Sequence, residues 1–215
     1  MFLTLFEQNP AAAVAVALGF VVGIVLHEAA HAYSAYKLGD DTAYRAGRVT
    51  LNPASHLDVL GTLMLLMAGF GWGKPTPVVP SKLRGGVFGP VAVAFAGPLS
   101  NLIIVAVCAA LFLLPPFQSG YLAIIIAAVA FVNALLFVFN LIPIPPLDGS
   151  KVIFPFLPRA LDGFVDFMNQ YGPMILFGLI LLSFVIPGFS PFSFILTLIL
   201  PILTLFGLPP GIPAA

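Results

Sequence analysis

The sequence predicts an all-α polytopic membrane protein: a three-helix core, a C-terminal helical hairpin, and a small membrane-surface β/re-entrant insert. Three observations carry this. The 215 residues are 60% hydrophobic and 7% charged, with a mean hydropathy of +1.12, far more apolar surface than a soluble domain of this size needs. Apolar runs long enough to cross a bilayer recur along the whole chain. All eight basic residues fall in two stretches, 37–84 and 151–159, as membrane topology requires of loops on one side. The formal net charge is zero, with no dense basic run, which argues against nucleic acid as a partner. The one cysteine, Cys108, lies in an apolar run and reads as a small packing residue. We take 1–215 as one transmembrane domain.

The first span runs from about Ala11 to Tyr36. Pro10 suits a first helical turn, and Gly19 and Gly23 offer a small-residue face for a neighbouring helix. Met1 to Pro10 contains no basic residue, so a cleavable signal is not expected. Residues 37–86 form a polar insert. Within it Tyr44 to Leu51 is expected as a strand. Leu57 to Phe70 is too short to cross and suits a re-entrant or interfacial helix. The proline-rich stretch 71–80 should be an extended edge strand with Trp72 at the interface, able to hold an extended peptide by β-addition. The second span is about Val87 to Leu114, interrupted by Gly97-Pro98 and carrying Asn101, which reads as an interhelical hydrogen-bonding group. The third is about Tyr121 to Ile142. It ends in a proline-rich break, 143–146, of the kind tolerated at membrane depth only beside protein or a watery cavity. Two further apolar segments, separated by Pro187-Gly188, make a hairpin over 172–208.

The chemistry centres on Leu26-His27-Glu28-Ala29-Ala30-His31. Four positions apart on a helix, His27 and His31 share one face. Two imidazoles so placed can bind one zinc ion, with Glu28 as general base toward an activated water. The chain has three His in all, and ionisable groups inside a span are costly unless they have a function. Asp148 is the only acidic residue between Asp58 and Asp162. It is the natural third ligand, since a catalytic zinc takes three protein ligands and keeps one position open. The basic stretches place 37–86 and 149–170 on the cytoplasmic side if Leu57 to Phe70 does not cross. The N-terminus is then outside, and His27, His31 and Asp148 reach the same side at similar depth. His56 reads either as a fourth, regulatory metal ligand or as a hydrogen-bonded residue beside Asp58.

Three pieces of the chain, His27-Glu28-Ala29-Ala30-His31, Gly97-Pro98-Leu99-Ser100-Asn101 and Asn140-Leu141-Ile142-Pro143-Ile144-Pro145-Pro146-Leu147-Asp148-Gly149, resemble in order and spacing the core of the site-2 protease family of intramembrane zinc metallopeptidases, peptidase M50. The resemblance covers roughly residues 13–150. It implies His27, His31 and Asp148 as ligands of one Zn2+ per chain and Glu28 as the base. It further implies Asn140, and more weakly Asn101, as groups that orient substrate or steady an oxyanion. The links 37–86 and 115–120 are too short for the PDZ domain many members carry, so a compact, prokaryotic member of the cell membrane is expected. No additional span before the His27 helix is expected. The implied substrates are single-span transmembrane proteins or signal-peptide remnants met in the lipid bilayer, as in regulated intramembrane proteolysis, with self-association left open. The competing reading is a membrane zinc-binding or transport protein without peptidase activity.

Overall fold

The structure, a computed structural model, describes residues 6–68, 71–186 and 193–212. Helix α1, Pro10–Lys37, is capped by Asn9, whose side chain accepts from the Ala12 N–H at 3.0 Å. It ends at Gly39, whose φ of +108° lets the Asp40 N–H turn back to the Ala35 carbonyl at 2.9 Å, a left-handed cap that costs glycine little. The short helix α2, Thr42–Arg45, and α3, Val59–Ala68, lie in the insert. Helices α4, Phe88–Phe112, and α5, Gly120–Asn140, complete a core in which α1, α4 and α5 all pack on one another. A six-residue helix, α6, Asp148–Ile153, packs on α4. Helix α7, Asp162–Val185, and α8, Ser193–Leu205, follow.

Among the described residues four helices are long and apolar enough to cross a membrane: α1, α4, α5 and the stretch Arg159–Ser183. The three core helices match the expected spans to within two residues. Helix α7 starts ten residues before the expected Gly172, at Asp162. Helix α8 has 13 residues, about 20 Å of helix, and packs on α5. The Pro187-Gly188 break lies outside the described residues.

Small residues set the packing. Eight of the 13 buried residues of α1 are alanine or glycine: Ala12, Ala13, Ala15, Gly19, Gly23, Ala29, Ala32 and Ala35. A side-chain carbon on Gly19 would stand 3.0 Å from the Val129 backbone, so α1 and α5 approach as only small residues allow. Bulky residues such as Val14, Leu18, Ile103 and Val107 point outward, the arrangement expected where lipid is the solvent. Helix α8 lies against α5, with Ile199 and Leu203 fully buried beside Val105 and Ala130.

The insert corrects two expectations. Tyr44 to Leu51 is not a strand. Its first residues belong to α2, where Arg45 pairs with Asp41 one turn earlier at 2.6 Å. Gly47, at φ +67°, then turns the chain so that the Arg48 N–H meets the Ala43 carbonyl at 2.9 Å. The stretch 71–80 belongs to no sheet. Among the described residues it makes a single antiparallel bridge, Gly73 to Leu57, because prolines at 75, 77 and 80 remove the donors a ladder needs. Helix α3, at ten residues, is about 15 Å long and too short to cross.

This proline-rich strap is tied to the end of α1 by Asp40. The fully buried carboxylate accepts from the Thr42 N–H at 3.0 Å, the Thr42 hydroxyl at 2.5 Å and the Val79 N–H at 2.6 Å, with Lys82 at 3.9 Å. Burial works to raise its pKa, but these donors outweigh it and hold the carboxyl below its ordinary value. A depressed carboxylate pKa stabilises at neutral pH and is lost as pH falls through the folded value. We therefore expect the strap to stay docked between about pH 5 and 8 and to loosen only in stronger acid. Asp40→Asn should speed exchange of the Val79 amide at neutral pH, measured by hydrogen exchange in detergent.

Candidate metal centre

His27 and His31 project from one face of α1 toward α4 and α6, and Asp148 enters from the first turn of α6. The His27 Nε2 is 3.0 Å and the His31 Nε2 3.1 Å from Asp148 Oδ2, and the two Nε2 atoms are 3.0 Å apart. All three residues are buried. Among the described residues they are the group of His, Cys, Asp or Glu placed to hold a metal ion.

The surroundings decide which ring nitrogens carry protons. His31 Nδ1 lies 2.7 Å from the Val93 carbonyl, which can only accept. His27 Nδ1 lies 2.7 Å from Asn101 Oδ1. That amide is oriented by its other end, because Asn101 Nδ2 donates to the Gly23 carbonyl at 3.2 Å and to Asn133 Oδ1 at 2.9 Å. Asn133 is oriented in turn, its Nδ2 donating to the carbonyls of Val129 at 2.8 Å and Gly19 at 3.3 Å. Both histidines therefore donate from Nδ1 and present a bare lone pair at Nε2. Two such lone pairs and a carboxylate oxygen, converging within 3.1 Å inside an apolar bundle, repel one another unless a cation lies among them. Ligands about 2.0–2.1 Å from a tetrahedral ion stand about 3.3 Å apart, close to the spacing seen. The donor set fits a metal ion.

Gly97 makes the cradle. A side-chain carbon there would fall 2.4 Å from His31 Nε2 and 2.6 Å from His27 Nε2, so any other residue would fill the space in front of the lone pairs. Pro98 removes one rung of the helix ladder in this turn. Gly149 serves the other side: a side-chain carbon would collide with the Leu141 carbonyl at 2.2 Å, and only glycine lets the 141–147 loop fold back to deliver Asp148. The second oxygen of Asp148, Oδ1, pairs with Lys151 at 3.1 Å.

Glu28 points to a different neighbour. Its Oε2 accepts from the Thr76 N–H at 2.8 Å and the Thr76 hydroxyl at 2.7 Å, and Arg48 Nη2 stands 3.8 Å away. The strap thus lies directly against it. Asn101 is fully buried behind His27 with both polar atoms engaged, and Asn140 donates from Nδ2 to the Leu136 carbonyl at 2.9 Å. His56 is fully buried in the insert and bonds through Nε2 to the Thr50 carbonyl at 2.8 Å. Among the described residues it is not one of the three placed to hold an ion. Asn133, Arg48 and Thr76 have no role in the sequence reading. An asparagine in an apolar span is a signal of function, but its partner is visible only in three dimensions.

The model of peptidase family M50 matches residues 115–182. Over 163 residues the chain is 40% identical to "Putative zinc metalloprotease YwhC" of Bacillus subtilis, covering 71% of this chain and 73% of that protein. The chain belongs to peptidase family M50. This M50 peptidase is also 30% identical over 167 residues to "Putative zinc metalloprotease Rip2" of Mycolicibacterium smegmatis, covering 73% of the chain and 62% of the relative. With "Putative zinc metalloprotease MJ0611" of Methanocaldococcus jannaschii it shares 33% identity over 132 residues, 61% of the chain and 64% of the relative. No solved structure matches.

The buried asparagine pair should matter to metal binding. Outer-shell partners of metal-bound histidines are worth about 10–100-fold in affinity. Asn101→Leu removes the acceptor of the His27 N–H, and we expect zinc affinity to fall by that amount in a competition titration with a chromophoric chelator.

Proposed function

We propose that this M50 peptidase is an intramembrane zinc metalloprotease. It hydrolyses peptide bonds of transmembrane substrates near the cytoplasmic side of the cell membrane, as in regulated intramembrane proteolysis. The observation that carries the reading is the convergence of His27, His31 and Asp148 as three lone-pair donors beside Glu28 on the same helix. These three residues would hold the zinc, and relatives named as zinc metalloproteases support that identity. When bound, zinc supplies a Lewis acid that acidifies water and polarises a carbonyl.

The chain's own residues do the rest. His27 and His31 are held in register by Asn101 and the Val93 carbonyl, so the geometry is set before substrate arrives. Glu28 takes a proton from the attacking water and later delivers it to the leaving nitrogen. Asn101 acts behind His27, while Asn140, at the C-terminal end of α5, remains our candidate for contact with substrate. A helical substrate hides its carbonyls in its own hydrogen bonds and must unwind first. The strap's main-chain groups at 74–76 are already used within the protein, so it offers few for β-addition there.

Topology supports the placement. With every lysine and arginine in 37–84 or 151–159 and α3 too short to cross, the positive-inside rule puts the strap and α6 on the cytoplasmic face. The N-terminus is then outside. Substrates of the single-span or signal-peptide-remnant class meet the site from the bilayer.

The test compares wild type with Glu28→Gln on a model single-span substrate in detergent, with zinc measured in both. We expect about one zinc per chain in each, and a loss of cleavage of at least about a hundredfold in the variant. Zinc in both with no cleavage by wild type of any substrate tried would contradict the reading and favour a metal-binding or transport role.

A further inference from the structure

A buried arginine governs the strap that lies on Glu28. Arg48 is 5% exposed, and burying a guanidinium is expensive unless its donors are used. It does not fork onto a carboxylate. Nη1 donates to the Pro75 carbonyl at 3.0 Å, and Nη2 donates to the Lys74 carbonyl at 2.5 Å and reaches Thr76 Oγ1 at 3.4 Å. The strap needs such a holder. Its prolines at 75 and 77 bring no donors, and its nearest main-chain tie is the Lys74 N–H to the His56 carbonyl at 2.7 Å. Gly47 aims the arginine, since the turn it forms places Arg48 just past the end of α2.

The strap delivers two donors to one atom. The N–H and the hydroxyl of Thr76 both reach Glu28 Oε2, and the same hydroxyl lies 3.0 Å from the Glu28 carbonyl. The Arg48 charge stands 3.8 Å from that oxygen. Glu28 Oε1 has no hydrogen bond among the described residues. The carboxylate is asymmetric, with one oxygen anchored and the other without a hydrogen bond among the described residues.

We propose that Arg48, acting through Thr76, is the positioning residue for Glu28: it fixes Oε2 and so leaves Oε1 as the oxygen that takes and returns the proton. The proposal rests on the reading of Glu28 as the proton carrier. It gives the strap a constructive role: the strap sets the base rather than plugging the site. Without the guanidinium fork the 74–76 segment loses its side-chain holder, Thr76 leaves Oε2, and Glu28 samples rotamers in which neither oxygen is presented. A lysine supplies charge without the fork and should not replace Arg48 fully.

The experiment measures kcat, KM and zinc content of the full-length protein for Arg48→Met, Arg48→Lys, Thr76→Val and Thr76→Pro. We expect Arg48→Met to lower kcat about a hundredfold, the scale of a misplaced catalytic group, with KM and zinc content unchanged and Arg48→Lys between the two. Thr76→Val keeps the main-chain donor and should lose less than Thr76→Pro, which keeps neither. In a Glu28→Asp background, where the shorter side chain has already left the anchor, Arg48→Met should cost little more. Hydrogen exchange reads the anchor without substrate: the Thr76 amide should be protected in wild type and released in both Glu28→Ala and Arg48→Met. A kcat within twofold of wild type, a rise in cleavage, an equal loss in the Glu28→Asp background, or an unprotected Thr76 amide in wild type would each overturn the proposal. A wild-type protein that cleaves nothing overturns the peptidase reading instead, and shows itself before any variant is compared.

Discussion

Two imidazole nitrogens and one carboxylate oxygen face each other within 3.1 Å in the interior of an apolar helix bundle. Left alone this is an unfavourable arrangement, since three lone pairs at that distance repel and the low dielectric magnifies the repulsion. Much of the surrounding structure makes sense as the apparatus that holds it. Gly97 leaves the space in front of the nitrogens empty of side chain. The Val93 carbonyl and Asn101 hold the protons on the far side of each ring. Gly149 lets the loop after α5 fold tightly enough to bring Asp148 up to the His27 helix. Lys151 takes the remaining carboxylate oxygen.

The same constraint explains the packing of the core. Asn101 and Asn133 sit between α1, α4 and α5 with no exposure to solvent, where an unpaired amide would be costly. Each spends its NH2 on carbonyls or on the other, and what remains is one acceptor aimed at His27. The carbonyls of Gly19 and Gly23 that receive these bonds belong to the small-residue face of α1. A larger residue at position 23 would clash with Leu136 and Asn133, at 2.6 and 2.8 Å, and would push the helices apart. The glycine stripe and the candidate metal centre are therefore one design: close helix approach puts the asparagines in reach, and the asparagines orient His27. Glu28 belongs to a second layer built by the insert, through Arg48 and Thr76.

What the sequence disclosed follows from where polarity is rare. In spans with almost no charge, His27, Glu28, His31 and Asp148 stood out singly. The core helices were legible for the same reason, since length and apolarity define a crossing. The insert was less so. Tyr44 to Leu51 has strand-like residues, but Gly47 within it is the cap of a short helix, and an Asp41–Arg45 pair one turn apart decides for helix locally. The stretch 71–80 is extended as its prolines demand, yet the same prolines prevent it from pairing as a strand. Asn133 and Arg48 were visible as polar residues, but their partners lie 32 and 27 positions away in Asn101 and Pro75, and no periodicity reports such a contact.

The most direct test of the metal centre is X-ray absorption at the zinc edge on the purified protein. We expect nearest neighbours of nitrogen and oxygen at about 2.0–2.2 Å, with the outer features of two imidazoles in wild type and of one in His31→Ala. A sulfur scatterer at about 2.3 Å, which in this chain would have to come from Cys108 or a methionine, or a spectrum unchanged in His31→Ala, would contradict it.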